Sequence, residues 1–149
     1  MRSAVACGSF VVYPPDPGNT LRPAPMPKTV LLADDHEDNR SALQMMLERA
    51  GYHTLGAHNG REAVDLALEH CPDLIVMDLA MPVMDGREAT RALKADPRTR
   101  GIPVVMLTAM ALSIDREGLV DEGFDSVMIK PILPSVFLDD VRARIGSPE

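Results

Sequence analysis

The stretch Leu74-Ile75-Val76-Met77-Asp78-Leu79-Ala80-Met81-Pro82-Val83-Met84-Asp85-Gly86 decides the fold. Four consecutive apolar residues with no polar alternation predict a strand buried on both faces, as in the middle of a parallel sheet. The run then breaks at an acid and passes through a Pro-containing loop to Gly86, where a helix over 86–94 is predicted. A carboxylate at the end of such a strand points out of the sheet edge, where open α/β folds place their ligand sites. Asp85 reads as the cap of the following helix, and Met81 and Met84 as apolar cover on the loop.

The same pattern recurs on either side. Strands are predicted over 29–33, 52–57, 74–77, 104–107 and 126–129, each followed by a helical stretch. The first helix, capped by Asp38, carries Ala42, Leu43, Met46, Leu47 and Ala50 on one face and stops at Gly51. Asn59 and Gly60 open the second, which buries Ala63, Val64, Ala67 and Leu68 and ends before Pro72. A helix over 113–122 stops at Gly123, and the last begins at Pro134, whose missing N–H the first turn tolerates. Its apolar positions are Phe137, Leu138, Val141 and Ile145. Five strand–helix units in succession imply a three-layer α/β sandwich around a parallel sheet.

Four strands therefore end on polar residues at one edge. The first runs into Asp34 and Asp35, the third into Asp78, the fourth into Thr108, and the fifth into Lys130 before Pro131. Three carboxylates brought together resist ionisation unless a cation intervenes. Oxygen ligands with room for water suit Mg²⁺, so Asp34, Asp35 and Asp78 read as a Mg²⁺ pocket. An acid doublet before a helix is also an ordinary capping loop, and the pair alone says little. Asp78 can act as a nucleophile toward phosphorus, and Thr108 and Lys130 supply the donor and the cation that phosphoryl transfer needs.

Composition bounds what else the chain can do. At 149 residues it suits one domain, and 46% hydrophobic residues can bury a core although only 3% are aromatic. The net charge is −7, and because 1–27 carry Arg2 and Arg22 against Asp16, the remainder carries −8. That balance argues against direct nucleic-acid binding, which needs a basic patch. No apolar run reaches the roughly 18 residues of a membrane span, so no membrane insertion is expected and the cytoplasm is the expected location. Cys7 and Cys71 read as two free thiols of a reducing compartment. Six of the 13 prolines fall within 1–27, a tail that resists helix and central strand, with Met26 as the expected natural start. The domain is expected over 28–146, followed by a short tail over 147–149.

Taken together these motifs resemble the response-regulator receiver domain of two-component signalling, over essentially all of 28–146. The family's paired acids match Asp34 and Asp35, and its phosphorylated aspartate matches Asp78 within Asp-x-x-Met-Pro-x-Met-Asp-Gly. Its switch hydroxyl matches Thr108 before the small Ala109, and its lysine matches Lys130. The resemblance implies a flavodoxin-like sheet of strand order 2-1-3-4-5 with five helices. It implies Mg²⁺-dependent phosphoryl transfer from a phosphohistidine to Asp78, with Asp35, Asp78 and the backbone carbonyl of Ala80 on the metal and Asp34 acting through water. The implied partners are a sensor histidine kinase, a histidine phosphotransfer protein and an unidentified downstream target. Such a protein is no enzyme in the usual sense, since it promotes only its own phosphorylation and dephosphorylation. The output face would be built from the helix over 113–122, the last strand and the last helix.

The chain departs from the family at Val127, three residues before the lysine, where an aromatic switch residue is usual. A stiff, short valine cannot make a ring flip. Ala80 and Met110, two residues after Asp78 and Thr108, offer no polar group to orient a water, so an acyl phosphate would hydrolyse unaided. Loss of phosphate from the isolated protein within seconds would contradict this. Two rivals remain: a pseudo-receiver that only docks, and an aspartyl-phosphate hydrolase. The hydrolase arrangement places a second acid two residues after the nucleophile, where this chain has Ala80.

Overall fold

The computed structural model describes residues 27–109 and 122–148. Five strands, β1 (Thr29–Ala33), β2 (His53–Ala57), β3 (Leu74–Asp78), β4 (Val104–Thr108) and β5 (Ser126–Ile129), form one parallel sheet in the order β2-β1-β3-β4-β5. Among the described residues there are four helices: α1 (Glu37–Arg49), α2 (Gly60–His70), α3 (Gly86–Ala95) and α4 (Pro134–Ile145). All but the last residue of the helix expected over 113–122, together with Met110 and the proline-rich tail before Pro27, lie outside the described residues.

The missing polar alternation in the central strands has a direct cause. Leu31, Ala33, Ile75, Met77, Val104 and Met106 pack into one core cluster, with Ala63 and Ala67 of α2 and Ala89 and Leu93 of α3. Their sequence neighbours Val30, Leu32, Leu74, Val76, Val105 and Leu107 pack into a second, with Leu43 and Leu47 of α1 and Phe137 and Val141 of α4. Period two thus sends successive residues into opposite cores, and both faces are apolar. The edge strands β2 and β5 are only partly buried.

Two of the four described helices start at a side-chain cap. Asn59 accepts from the Glu62 N–H at 2.8 Å and Asp85 from the Glu88 N–H at 2.9 Å. Against the expectation from its residue type, Asp38 does not cap α1; it lies inside the first turn, and His36 stands at the cap without a side-chain capping bond. Glu37 and Asp38 still put negative charge at the positive end of the helix dipole. Ala42 faces solvent, whereas Arg40 is buried and shares a stripe with Leu43 and Leu47. Among the described residues no cysteine is free: Cys71, at the left-handed C-cap of α2, is disulfide-bonded, against the expectation of free thiols. Pairing depends on where the fold brings two sulfurs, which spacing alone cannot supply.

The loop after β3 is held by two close backbone approaches. Gly60 donates its N–H to the Met84 carbonyl at 2.9 Å, and Gly86 donates to Leu79 at 2.9 Å. An added Cβ would meet the Met84 oxygen at 2.3 Å in the first case and the Asp78 carbonyl oxygen at 2.4 Å in the second. The loop between Asp78 and α3 is therefore clamped at both ends by positions with no room for a side chain.

Candidate functional site

The ladder sets the site before any side chain is considered. Asp78 is the last residue of β3 and lies opposite Leu107 of β4; Thr108 follows in β4 and lies opposite Ile129, after which comes Lys130. The Lys130 N–H donates to the Thr108 carbonyl at 2.8 Å, and the Leu79 N–H to the Leu107 carbonyl at 3.0 Å. On the other side Ala33 lies opposite Met77, so Asp34 and Asp35 emerge beside Asp78. All the acidic, hydroxyl and amine residues singled out in the sequence arise at this edge.

Their side chains converge. The Lys130 ammonium donates to Asp78 Oδ2 at 3.1 Å and stands 3.5 Å from Asp34 Oδ2. Asp34 and Asp78 are both buried, at 1% and 5% exposure, whereas Asp35 is exposed. The Ala80 N–H donates weakly to Asp78 Oδ1, at 3.3 Å. Thr108 is buried and lines, with His36, Asp78, Leu79, Ala80 and Lys130, a cleft of about 160 Å³. The Lys130–Pro131 peptide bond is cis.

Electrostatics leave this constellation short of positive charge. Burial pushes the Asp78 carboxyl above its ordinary value; Lys130 opposes that by charge and hydrogen bond, and Asp34 adds to it by repulsion. One ammonium faces two buried carboxylates, and the buried Asp34 Oδ2 has no hydrogen-bond partner. Donor atoms from Asp34, Asp35, His36 and Asp78 lie within 4.8 Å of one another. A buried oxygen lacking a hydrogen, beside further carboxylates in an open cleft, fits a hard divalent cation that keeps water ligands.

Two residues at the site were not singled out by sequence. Arg40, one turn into α1, donates from Nη1 to the Asp34 backbone carbonyl at 2.8 Å and contacts His58 Nε2 at 3.3 Å, bracing the strand end that carries the acids. Its only sequence signal is its place in the 40/43/47 stripe. His36 lies over the acids, its Nδ1 3.1 Å from Asp35 Oδ1 and 3.4 Å from Asp34 Oδ1. Val83 adopts φ 69 and is 82% exposed, a conformation that a β-branched residue takes only under strain. Val127 is partly buried against the first core cluster, so the position after Ser126 does carry an aliphatic contact and no ring.

Comparison with known proteins agrees with this picture. The sequence matches the response regulator receiver domain over residues 30–142. The polar-differentiation response regulator DivK of Brucella anthropi is 40% identical over 121 residues, covering 81% of this chain and 98% of that protein. DivK of Brucella ovis is 38% identical over the same length and coverage. Among solved structures, the receiver domain of the sensor histidine kinase PA1611 from Pseudomonas aeruginosa PAO1, which has a magnesium ion coordinated in its active site cleft, superposes with a TM-score of 0.75 at 33% identity, covering 81% of this chain and 99% of that one. The chemotaxis protein CheY4 of Vibrio cholerae gives 0.74 at 29% identity, covering 78% and 98%.

Proposed function

Because the chain belongs to the response regulator receiver family, we propose that Asp78 accepts a phosphoryl group from a phosphohistidine in a Mg²⁺-dependent reaction and that its modification signals to a partner. The donor is a sensor histidine kinase or a histidine phosphotransfer protein. The observation that carries this reading is the Lys130 ammonium 3.1 Å from Asp78 and 3.5 Å from Asp34, inside a cleft that Thr108 also lines.

The roles follow from position. An Asp78 oxygen forms the new P–O bond as the P–N bond to the donor breaks, and the leaving imidazole takes up a proton. Asp34, Asp35 and Asp78, with the Ala80 carbonyl, would hold Mg²⁺, which when bound neutralises charge on the phosphoryl oxygens. Lys130 is placed to follow that charge from the carboxylate to the phosphate, and the Thr108 hydroxyl to donate to a phosphoryl oxygen. Product retention changes local charge and biases an existing equilibrium between conformations. With Val127 in place of a ring, the Thr108 side of that equilibrium carries the change.

No helix among the described residues is long and apolar enough to cross a membrane. Incubation with a small phosphodonor such as phosphoramidate is expected to label the protein with Mg²⁺ present and to leave it at background in excess chelator. Equal labelling in both would remove the metal from the account.

A further inference from the structure

Receiver chemistry asks only for oxygen ligands, yet this cation site has a nitrogen at its rim. From the position of His36 we infer that its imidazole is a direct ligand, which makes the site favour divalent cations of the nitrogen-binding class, such as Ni²⁺ and Zn²⁺, over Mg²⁺ more strongly than carboxylates alone would. This rests on the reading of the Asp34, Asp35 and Asp78 cluster as a cation site.

The local backbone explains why the ring lies there. Asp34 Oδ1 accepts the His36 N–H at 2.9 Å, and His36 takes an extended conformation at the head of α1, φ −88 and ψ 111. That turn directs the ring back over the acids instead of along the helix. Nδ1 then lies 3.1 Å from Asp35 Oδ1 and 3.4 Å from Asp34 Oδ1. Neighbouring ligands on an octahedral ion with bonds of 2.0–2.1 Å are about 3 Å apart and opposite ones about 4.2 Å apart. The observed spacing is thus close to that of two adjacent ligands, and all four donor atoms lie within 4.8 Å of one another.

An independent observation points the same way. Asp34 Oδ2 is buried without a hydrogen-bond partner, and the Lys130 ammonium 3.5 Å away is shared with Asp78, so the clustered carboxylates have room for a further positive charge. His36 also lines the cleft that holds Asp78, Thr108 and Lys130. Imidazole suits Ni²⁺ and Zn²⁺, whereas Mg²⁺ is served by carboxylate, carbonyl and water. His58, by contrast, is engaged by Arg40 and Glu62 and does not approach the acids.

Calorimetric titration of the full chain with Ni²⁺ and with Mg²⁺, for wild type, His36→Ala and His36→Asn, tests this. Both variants are expected to weaken Ni²⁺ binding by about 10-fold or more, on the scale typical of disturbed metal ligation, while Mg²⁺ affinity falls by less than about threefold. Only binding that Mg²⁺ competes away counts, which sets aside the other surface histidines. Electron spin echo modulation of bound Mn²⁺ should show nitrogen coupling in wild type and none in either variant. An unchanged Ni²⁺-to-Mg²⁺ ratio, or no nitrogen coupling in wild type, overturns the role of His36 while leaving the oxygen site standing. Failure of wild type to bind either cation would overturn the site itself, and the inference with it.

Discussion

Asp78→Asn is expected to reduce phosphoryl labelling to background and, in the absence of metal, to make the domain more stable at neutral pH. The first effect follows because the amide has no anionic oxygen to attack phosphorus. The second follows from the surroundings of the carboxylate. Burial raises its pKa above the ordinary 3.8, Asp34 adds to the rise, and Lys130 only partly offsets it. In the unfolded chain Asp78 ionises around the ordinary value; in the folded domain it ionises later. Over that interval the unfolded state holds fewer protons, so stability falls as pH rises, and above the raised value the loss is complete. Asparagine escapes it, and Lys130 keeps Asp34 as a partner at 3.5 Å. Unfolding curves of both proteins in chelator should coincide near pH 3.5 and separate toward pH 7, with the variant the more stable. A variant less stable at pH 7 would mean that the Lys130 pair outweighs the desolvation.

Gly86→Ala is expected to be, with Gly60→Ala, among the most damaging methyl additions at the described residues. Its Cβ would lie 2.4 Å from the Asp78 carbonyl oxygen and 3.0 Å from Leu79 Cα, both main-chain atoms. Overpacking against movable side chains costs about 1–3 kcal/mol, and here the obstruction is backbone, so a cost of about 3 kcal/mol or more is expected. For a domain of this size that is a fall of roughly 10 °C in Tm. Relief can come only by moving α3 away from the end of β3, which displaces Asp78, so labelling should slow as well. Gly101→Ala is the control, since no atom lies within 4 Å of its Cβ position and its φ is not positive. If Gly86→Ala and Gly101→Ala behaved alike, the clamp around the loop would be wrong.

What the sequence disclosed was whatever depends on order along the chain. Leu74 to Met77 reads as a doubly buried strand because period two sends alternate residues into opposite cores, and the structure uses them so. Asn59 and Asp85 cap their helices because an oxygen on a short side chain can meet the N–H three residues on, a purely local relation. The meeting of Asp34, Asp78 and Lys130 was legible because parallel strands share one carboxyl edge.

What escaped depends on distance in space. Asp38 has the side chain of a cap, but α1 starts one residue earlier, and propensity cannot locate a boundary that closely. Arg40 would ordinarily be read as solvated; it is buried because the Asp34 carbonyl and His58 converge on its guanidinium from β1 and the loop after β2. Ala42 fits the apolar spacing of α1 yet nothing covers it enough to bury it. His36 carries no signal in the sequence because its meaning comes from the Asp34 and Asp35 oxygens it leans on.

The central claim, that Asp78 is the phosphoryl acceptor, is tested most directly by trapping the modified residue. After incubation with phosphodonor and Mg²⁺, borohydride reduces an aspartyl phosphate to homoserine, which mass spectrometry of the peptide containing residues 74–87 locates. The account predicts homoserine at Asp78 alone, and none when Mg²⁺ is chelated. Homoserine at Asp34 or Asp35, or phosphate retained on a residue that borohydride does not reduce, would contradict it.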